Sequence, residues 1–304
     1  MLVRVHAVAI SSRDLLIRSG EVPAALPLVP GSEAAGEVIL VGSGVTEWSH
    51  GDRVVSAGSW VGRTHPGACA DYLTVPSVDL HPIPENVSFI GAASIIGTFT
   101  AAWSALFHHG QLGVQERVVV VGAADPLGIA AVQICRWKEC RVIAVADGRH
   151  APRLGALGTT RVVSQSAPEL AGHVIAGLDA EPATIVVNVT GALLPDSLRM
   201  LGRDGRLIIL NGSDSPPLDL QLLVSRQIRV IGSSAPVDAV DVHHILKLLS
   251  EGTFIPVIDS IFLFTQAARA HRRAESPDTF GAVLLIPDHL HESAEKITQF
   301  DEEG

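Results

Sequence analysis

Three cysteines, three lysines and one tyrosine in 304 residues leave several chemistries without their usual side chains. Cys69, Cys135 and Cys140 are too few and too scattered for a disulfide framework or a four-cysteine zinc lobe, which points to a reducing compartment. Basic residues number 22 against 32 acidic ones, a net charge of −10, so neither nucleic acid nor an anionic membrane is an expected partner. Gly, Pro or a charge interrupts every apolar run before the ~18 residues a membrane span needs. The opening stretch Met1 to Val8 reads as a strand, without the basic start and long apolar core of a signal peptide, and the expected location is the cytoplasm.

What is present is a hydrophobic share of 47% and a mean hydropathy of +0.34, ample for a buried core. The length suits two domains or one large α/β domain. Residues 1–92 carry short β-type runs punctuated by Gly and Pro: Val3 to Ile10, Ala35 to Val41, Arg53 to Ala57, Ala70 to Val75. From residue 93 apolar strands alternate with helix-length segments, and the runs Val118 to Val121 and Ile185 to Val187 read as strands buried on both faces. Such alternation implies a parallel, doubly wound sheet over 93–259. β texture returns in 260–287, and 288–304 reads as an acidic tail.

The densest chemical signal is Val118 to Gln133: a strand, a small-residue turn and an amphipathic helix. In a dinucleotide fold such a turn lets the backbone approach a pyrophosphate, whose charge meets N–H groups at the helix N-terminus. Gly122, Ala123, Asp125, Leu127 and Gly128 are the candidate contacts, although Asp125 stands where a glycine is usual and its carboxylate would repel a pyrophosphate unless turned to solvent. Any βα turn of an α/β sheet shares this outline. The next strand ends at Asp147, nineteen residues beyond Gly128, a spacing that suits a ribose 2′-hydroxyl, while Arg149 and Arg153 suit a 2′-phosphate. NAD(H) and NADP(H) both stay open.

Taken together, these residues resemble the medium-chain dehydrogenase/reductase superfamily, in its zinc-less quinone oxidoreductase, enoyl reductase and alcohol dehydrogenase-like branch. The resemblance runs from Val3 to about Ile286. Ser11-Ser12-Arg13-Asp14, Pro30-Gly31-Ser32-Glu33, Val41-Gly42-Ser43-Gly44-Val45, Gly51-Asp52-Arg53-Val54 and Gly67-Ala68-Cys69-Ala70-Asp71-Tyr72 carry it in the β part. Thr100 to Leu106, Pro256 to Asp259 and Thr279-Phe280-Gly281 carry it further along. It implies an α/β fold made of a chaperonin-10-like β domain and a Rossmann domain.

The family's catalytic zinc needs Cys and His ligands, but Ser11 and Ser32 occupy those two positions, so no metal is expected. Ser11, Ser12, Asp14 and Thr100 match the substrate side, with Ser11 replacing an Asn that would steady a developing enolate oxygen. Leu16 lies where some members have Tyr, and Ala282 replaces a common Lys. At strand ends, Thr190-Gly191, Asn211-Gly212 and Ser233 join Asp147 and Arg149 as cofactor contacts. Members of the family normally begin with a further β-rich segment ahead of the strand that here starts at Leu2. His108-His109 and His243-His244 are adjacent pairs, whose side chains diverge on a helix, and are set aside as metal ligands.

The resemblance implies a zinc-independent NAD(P)H-dependent oxidoreductase acting on a quinone, enone or small carbonyl compound. The alternative is a non-catalytic member kept as a binding or scaffold module, suggested by Asp125 and the early first strand. A homodimer through the edge strand Ile228 to Ser233 is expected.

Overall fold

A computed structural model describes residues 1–57, 61–212, 217–234 and 237–290. In chain order the first half runs β1 (Leu2–Ala9), α1 (Ser12–Ser19), β2 (Glu33–Leu40), β3 (Arg53–Ser56), β4 (Tyr72–Thr74), β5 (Leu80–Pro82), α2 (Phe89–Trp103), β6 (Arg117–Val121), α3 (Pro126–Trp137) and β7 (Arg141–Ala146). The rest runs α4 (Ala151–Ala156), β8 (Arg161–Ser164), α5 (Leu170–Gly177), β9 (Ala183–Asn188), α6 (Leu194–Met200), β10 (Leu201–Ile209), α7 (Leu220–Arg226), β11 (Arg229–Gly232), α8 (Ala239–Ser250), β12 (Ile258–Leu263), α9 (Ala267–Ala274) and β13 (Ala282–Ile286). Two compact units result: residues 1–97 with the segment from 236 onward, and residues 98–235.

The first unit holds a seven-stranded sheet in the order β12-β13-β1-β2-β3-β5, with β4 paired to β1. Along β1 the alternation of Val3 and Val5 with Arg4 and His6 puts the valines in a core with Val38, Val54, Leu73 and Leu285. The late motifs close this sheet. Asp259 takes two hydrogen bonds from the Arg273 guanidinium at 2.6 and 2.7 Å and one from the Phe280 N–H at 3.0 Å. Gly281 (φ +102°) packs so tightly that a Cβ would lie 2.3 Å from the Val257 carbonyl oxygen.

The second unit is a six-stranded sheet, β8-β7-β6-β9-β10-β11, parallel throughout. This is the 3-2-1-4-5-6 strand order of a dinucleotide fold. Val118 to Val121 are fully buried, as a strand covered on both faces requires. The unit boundaries fall at 97/98 and 235/236 instead of the expected 92/93 and 259/260. Helix α8, read from sequence as part of the nucleotide domain, belongs to the first unit, where Asn86 donates to the Ser250 carbonyl at 2.8 Å and accepts the Ser250 hydroxyl at 2.9 Å. Of the expected acidic tail, residues beyond Leu290 lie outside the described ones.

One sequence expectation needs correction. Helix α2 continues through a π-helical stretch, and the resulting Phe89–His109 helix is long and apolar enough to cross a membrane by length and composition. Gly91 and Gly97 do not interrupt it, because a glycine inside an otherwise apolar helix lowers its stability only modestly. The helix is 72% buried within the fold, the environment of a core helix.

Candidate functional site

In the first unit the chain turns from β1 into α1 at Ser11, whose extended backbone (φ −89°, ψ 158°) caps the helix. The Ser11 hydroxyl oxygen accepts the Asp14 N–H at 3.2 Å. In return, Asp14 Oδ2 accepts the Ser11 N–H at 2.9 Å and the Ser11 hydroxyl proton at 2.6 Å. Asp14 Oδ1 takes the Gly31 N–H at 2.9 Å, and the side chain is buried. Both Asp14 oxygens therefore act as acceptors. The only proton on Ser11 Oγ is committed to Asp14, so while the cap stands this hydroxyl has none for a substrate oxygen.

Three residues that sequence reading did not single out gather around Asp14. Glu33 begins β2, opposite Ala9 of β1. Burial, first, and the neighbouring Asp14 charge push its carboxyl up to about 8, against a smaller opposing pull from Arg13. Cys69 packs beneath Gly31, and burial together with Asp14 pushes its thiol up to about 12, far from a reactive thiolate. His271 of α9 is buried, with Nδ1 lacking a hydrogen-bond partner among the described residues, and burial lowers its pKa, aided by Arg18 and opposed by Asp14 and Glu275. Arg18 and Glu275 themselves form an ion pair. The residue types are ordinary, and only their convergence from distant segments marks them.

Ser12 is exposed at the start of α1, and Thr100 is buried on α2 within the second unit. The structure thus brings Ser11 and Asp14 together, while Ser12 is exposed.

In the second unit the β6 to α3 turn depends on its glycines. Gly122 (φ +82°) would drive a Cβ to 2.6 Å from Thr190 Cγ2, and a Cβ on Gly128 would lie 2.2 Å from the Gly122 carbonyl oxygen. The helix start thus sits as close to the strand as a dinucleotide cradle requires. Asp125 resolves the difficulty posed by its charge by serving as the helix N-cap: it is exposed, and Oδ1 accepts the Leu127 N–H at 2.8 Å. The N–H groups of Gly122 and Ala123 go to the Val145 carbonyl and that of Asp125 goes to Gly122, while Pro126 has none. Much of the turn's donor capacity is directed into the protein itself.

The strand ends follow the same logic. Asn188, fully buried at the end of β9, donates to the Ala192 carbonyl at 2.6 Å and Ser197 Oγ at 3.0 Å, and accepts the Gly191 N–H at 2.8 Å. A Cβ on Gly191 would be 2.7 Å from the Asn211 carbonyl oxygen, so Thr190-Gly191 and Asn211 pack beside Gly122 at one edge of the sheet, with Gly212 exposed just beyond. Asn188 escaped sequence reading, although a lone amide in a valine run was its available signal. At the end of β7 the Asp147 carboxylate accepts the Arg149 N–H at 3.0 Å and faces its guanidinium at 3.0 Å, which holds Asp147 below and Arg149 above their usual ranges. Ser233 Oγ lies 2.9 Å from His109 Nδ1, on the π-helical stretch. That contact gives His109 a role at a strand end. Among the described residues no three of His, Cys, Asp and Glu are grouped to hold a metal ion.

A GroES-like β unit joined in one chain to a 3-2-1-4-5-6 parallel unit, its strand-end turns gathered at the carboxyl edge, defines the dehydrogenase class. Residues 1–85 match the model of the alcohol dehydrogenase GroES-like domain, and residues 126–251 that of a zinc-binding dehydrogenase. The chain is 31% identical to a zinc-type alcohol dehydrogenase-like protein of Schizosaccharomyces pombe over 81% of this chain and 74% of the relative. It is 29% identical to the quinone oxidoreductase of Rattus norvegicus, over 94% and 88% respectively. A solved NAD-dependent alcohol dehydrogenase superposes with a TM-score of 0.88 at 29% identity, covering 94% of this chain and 91% of that one. The chain belongs to the medium-chain dehydrogenase/reductase superfamily and is an NAD(P)H-dependent oxidoreductase.

Proposed function

We propose that this oxidoreductase is a zinc-independent reductase of a quinone, enone or related small carbonyl compound, using NAD(H) in preference to NADP(H). The observation that carries the reading is the set of Gly122, Thr190, Gly191 and Asn211 packed together at the carboxyl edge of one parallel sheet. When bound there, the nicotinamide cofactor supplies the hydride. Gly122 and Gly128 keep side-chain bulk away from the pyrophosphate position, and Asn188 holds the Thr190-Gly191 turn in shape. Asp147 offers a carboxylate to a ribose hydroxyl, while Arg149 is engaged by that carboxylate instead of standing open for a 2′-phosphate.

The substrate class follows the quinone oxidoreductase relatives, brought to this chain here as a proposal. A catalytic zinc does not fit the donors present: Ser32 offers a neutral hydroxyl, and Ser11 Oγ is already bonded to Asp14 on both its donor and acceptor sides. Copies of the chain pair through β11, an edge strand that exposes Val230, with Leu220 and Val224 exposed on the preceding helix α7. Melting the purified protein with and without NADH or NADPH tests the cofactor reading, NADH giving the larger upward shift. No shift with either nucleotide at millimolar concentration overturns it, and metal analysis of active protein finding one zinc per chain overturns the zinc-independence.

A further inference from the structure

We propose that Asn188 is a positioning residue for the nicotinamide nucleotide, and that it can serve only as a neutral amide. The inference rests on the reading of the second unit as the nucleotide-binding one and adds the buried group that sets its geometry. Along β8-β7-β6-β9-β10-β11 the strand order reverses between β6 and β9, and an open parallel sheet takes its ligand outside the carboxyl ends of the strands at such a point. Asn188 is the last residue of β9, paired with Val121 of β6 on one side and with Ile209 of β10 on the other. It stands in the final row of the sheet, level with the residue before Gly122. The apolar run Ile185-Val186-Val187 gives way there to an amide with no solvent exposure.

The amide braces the turn that follows it. Its two N–H groups go to the Ala192 carbonyl at 2.6 Å and to Ser197 Oγ at 3.0 Å, and its oxygen takes the Gly191 N–H at 2.8 Å. Ser197, itself fully buried, donates its hydroxyl proton to the Leu193 carbonyl at 2.9 Å, which also accepts the Ser197 N–H at 2.8 Å. Such bracing is needed because Gly191 (φ +78°) and Leu193 (φ +58°) are both left-handed, a conformation that leucine adopts only at a cost. The turn in its turn borders the other strand ends. A Cβ on Gly122 would meet Thr190 Cγ2 at 2.6 Å, and one on Gly191 would meet the Asn211 carbonyl oxygen at 2.7 Å. Release of the turn therefore shifts its contacts with Gly122 and with Asn211 together.

Donor and acceptor must stand side by side at this position. Gly191 presents an N–H and Ala192 a carbonyl, and one planar amide answers both. A carboxylate would set a charged oxygen against the Ala192 carbonyl and leave that acceptor unpaired, whereas a protonated carboxyl, with O–H in place of an N–H, restores the pairing. Leucine has a similar outline and answers neither group. The three partners of the Asn188 side chain are an N–H, a carbonyl and a hydroxyl, none of which titrates near neutral pH, so a pH dependence that appears on substitution belongs to the new carboxyl.

The test measures NADH binding by fluorescence titration for wild type, Asn188→Leu and Asn188→Asp, from about pH 6 to about pH 9, at a temperature where circular dichroism shows each protein folded. Relative to wild type, Asn188→Leu is expected to raise the Kd about 10-fold at every pH. Asn188→Asp is expected to bind close to wild type at about pH 6 and to lose about 10-fold by about pH 9, as its carboxyl ionises. An amide with a structural role alone would lower the melting temperature of both variants and leave the Kd of the folded proteins unmoved. A wild-type Kd in both variants, or a loss in Asn188→Asp of one size at every pH, overturns the assignment of Asn188 alone. A wild-type protein that binds neither NADH nor NADPH overturns the nucleotide reading, and the assignment with it. If the variants fail to fold, ¹⁵N–¹H spectra of wild type decide the matter. Saturating NADH is expected to shift the Asn188 side-chain and Gly191 signals, and finding these still while other signals move overturns the proposal.

Discussion

Ser11 and Asp14 cap each other, with the Ser11 hydroxyl 2.6 Å from Asp14 Oδ2 and the Asp14 N–H 3.2 Å from Ser11 Oγ. Asp14 also fixes the Gly31 N–H, 17 residues away, so one carboxylate ties the start of α1 to the loop before β2. Asp14→Ala strands two buried or half-buried N–H donors and removes half the capping box. Urea denaturation is expected to show a loss of about 2–4 kcal/mol. Ser11→Ala, which leaves the Gly31 contact intact, costs about 1 kcal/mol. Equal effects from the two variants would contradict the hub role of Asp14.

Glu33 gives stability a pH slope of unusual sign for a carboxyl group. Its unfolded value of 4.5 rises to about 8 on folding, so between these limits the native state retains a proton that the unfolded chain has released. Stability from this group is full below 4.5, falls as pH rises toward 8, and is flat above it, with a slope of at most about 1.4 kcal/mol per pH unit. Glu33→Gln lacks this slope. The stability advantage of the variant over wild type, from urea midpoints, should therefore grow between pH 5 and pH 8; an advantage independent of pH contradicts the raised value.

Gly128 and Asp125 separate shape from charge in the nucleotide turn. Gly128→Ala places a methyl 2.2 Å from the Gly122 carbonyl oxygen, a backbone atom that cannot step aside. The expected outcome is a destabilisation of about 1–3 kcal/mol and weaker NADH binding. Asp125→Gly frees the Leu127 N–H and removes a negative charge from the helix start. Calorimetric titration with NADH is expected to show about tenfold tighter binding, or about 1.4 kcal/mol. Unchanged affinity would mean that the carboxylate stays clear of the bound pyrophosphate.

Val230 is exposed on the edge strand β11. Lys in its place sets a charge on that edge without touching the core. Light scattering is expected to show the wild type as a dimer and Val230→Lys as a monomer at micromolar concentration, with the melting temperature of NADH-bound protein lowered. A wild-type monomer contradicts pairing through this edge.

Local chemistry determined much of this protein from the sequence alone. The valine runs announced strands covered on both faces, the small-residue turn after Val121 announced an amphipathic helix, and β7 spans the expected Arg141–Ala146. The order of the motifs pointed to the two-domain class, because each motif answers to backbone needs within a few residues. Tertiary structure decided what such reading could not reach. Glu33 read as part of the Pro30-Gly31-Ser32-Glu33 signature, His271 carried no local signal, and nothing local paired either with Asp14. The hollow above Gly97 that holds the Glu33 carboxyl exists only because β2 and α2, some 60 residues apart, pack together, and the weakened acidity of Glu33 depends on that burial and on the charge of Asp14. Hydrophobic period and turn chemistry act between chain neighbours, whereas desolvation and Coulomb coupling act between neighbours in space, and folding alone establishes which those are.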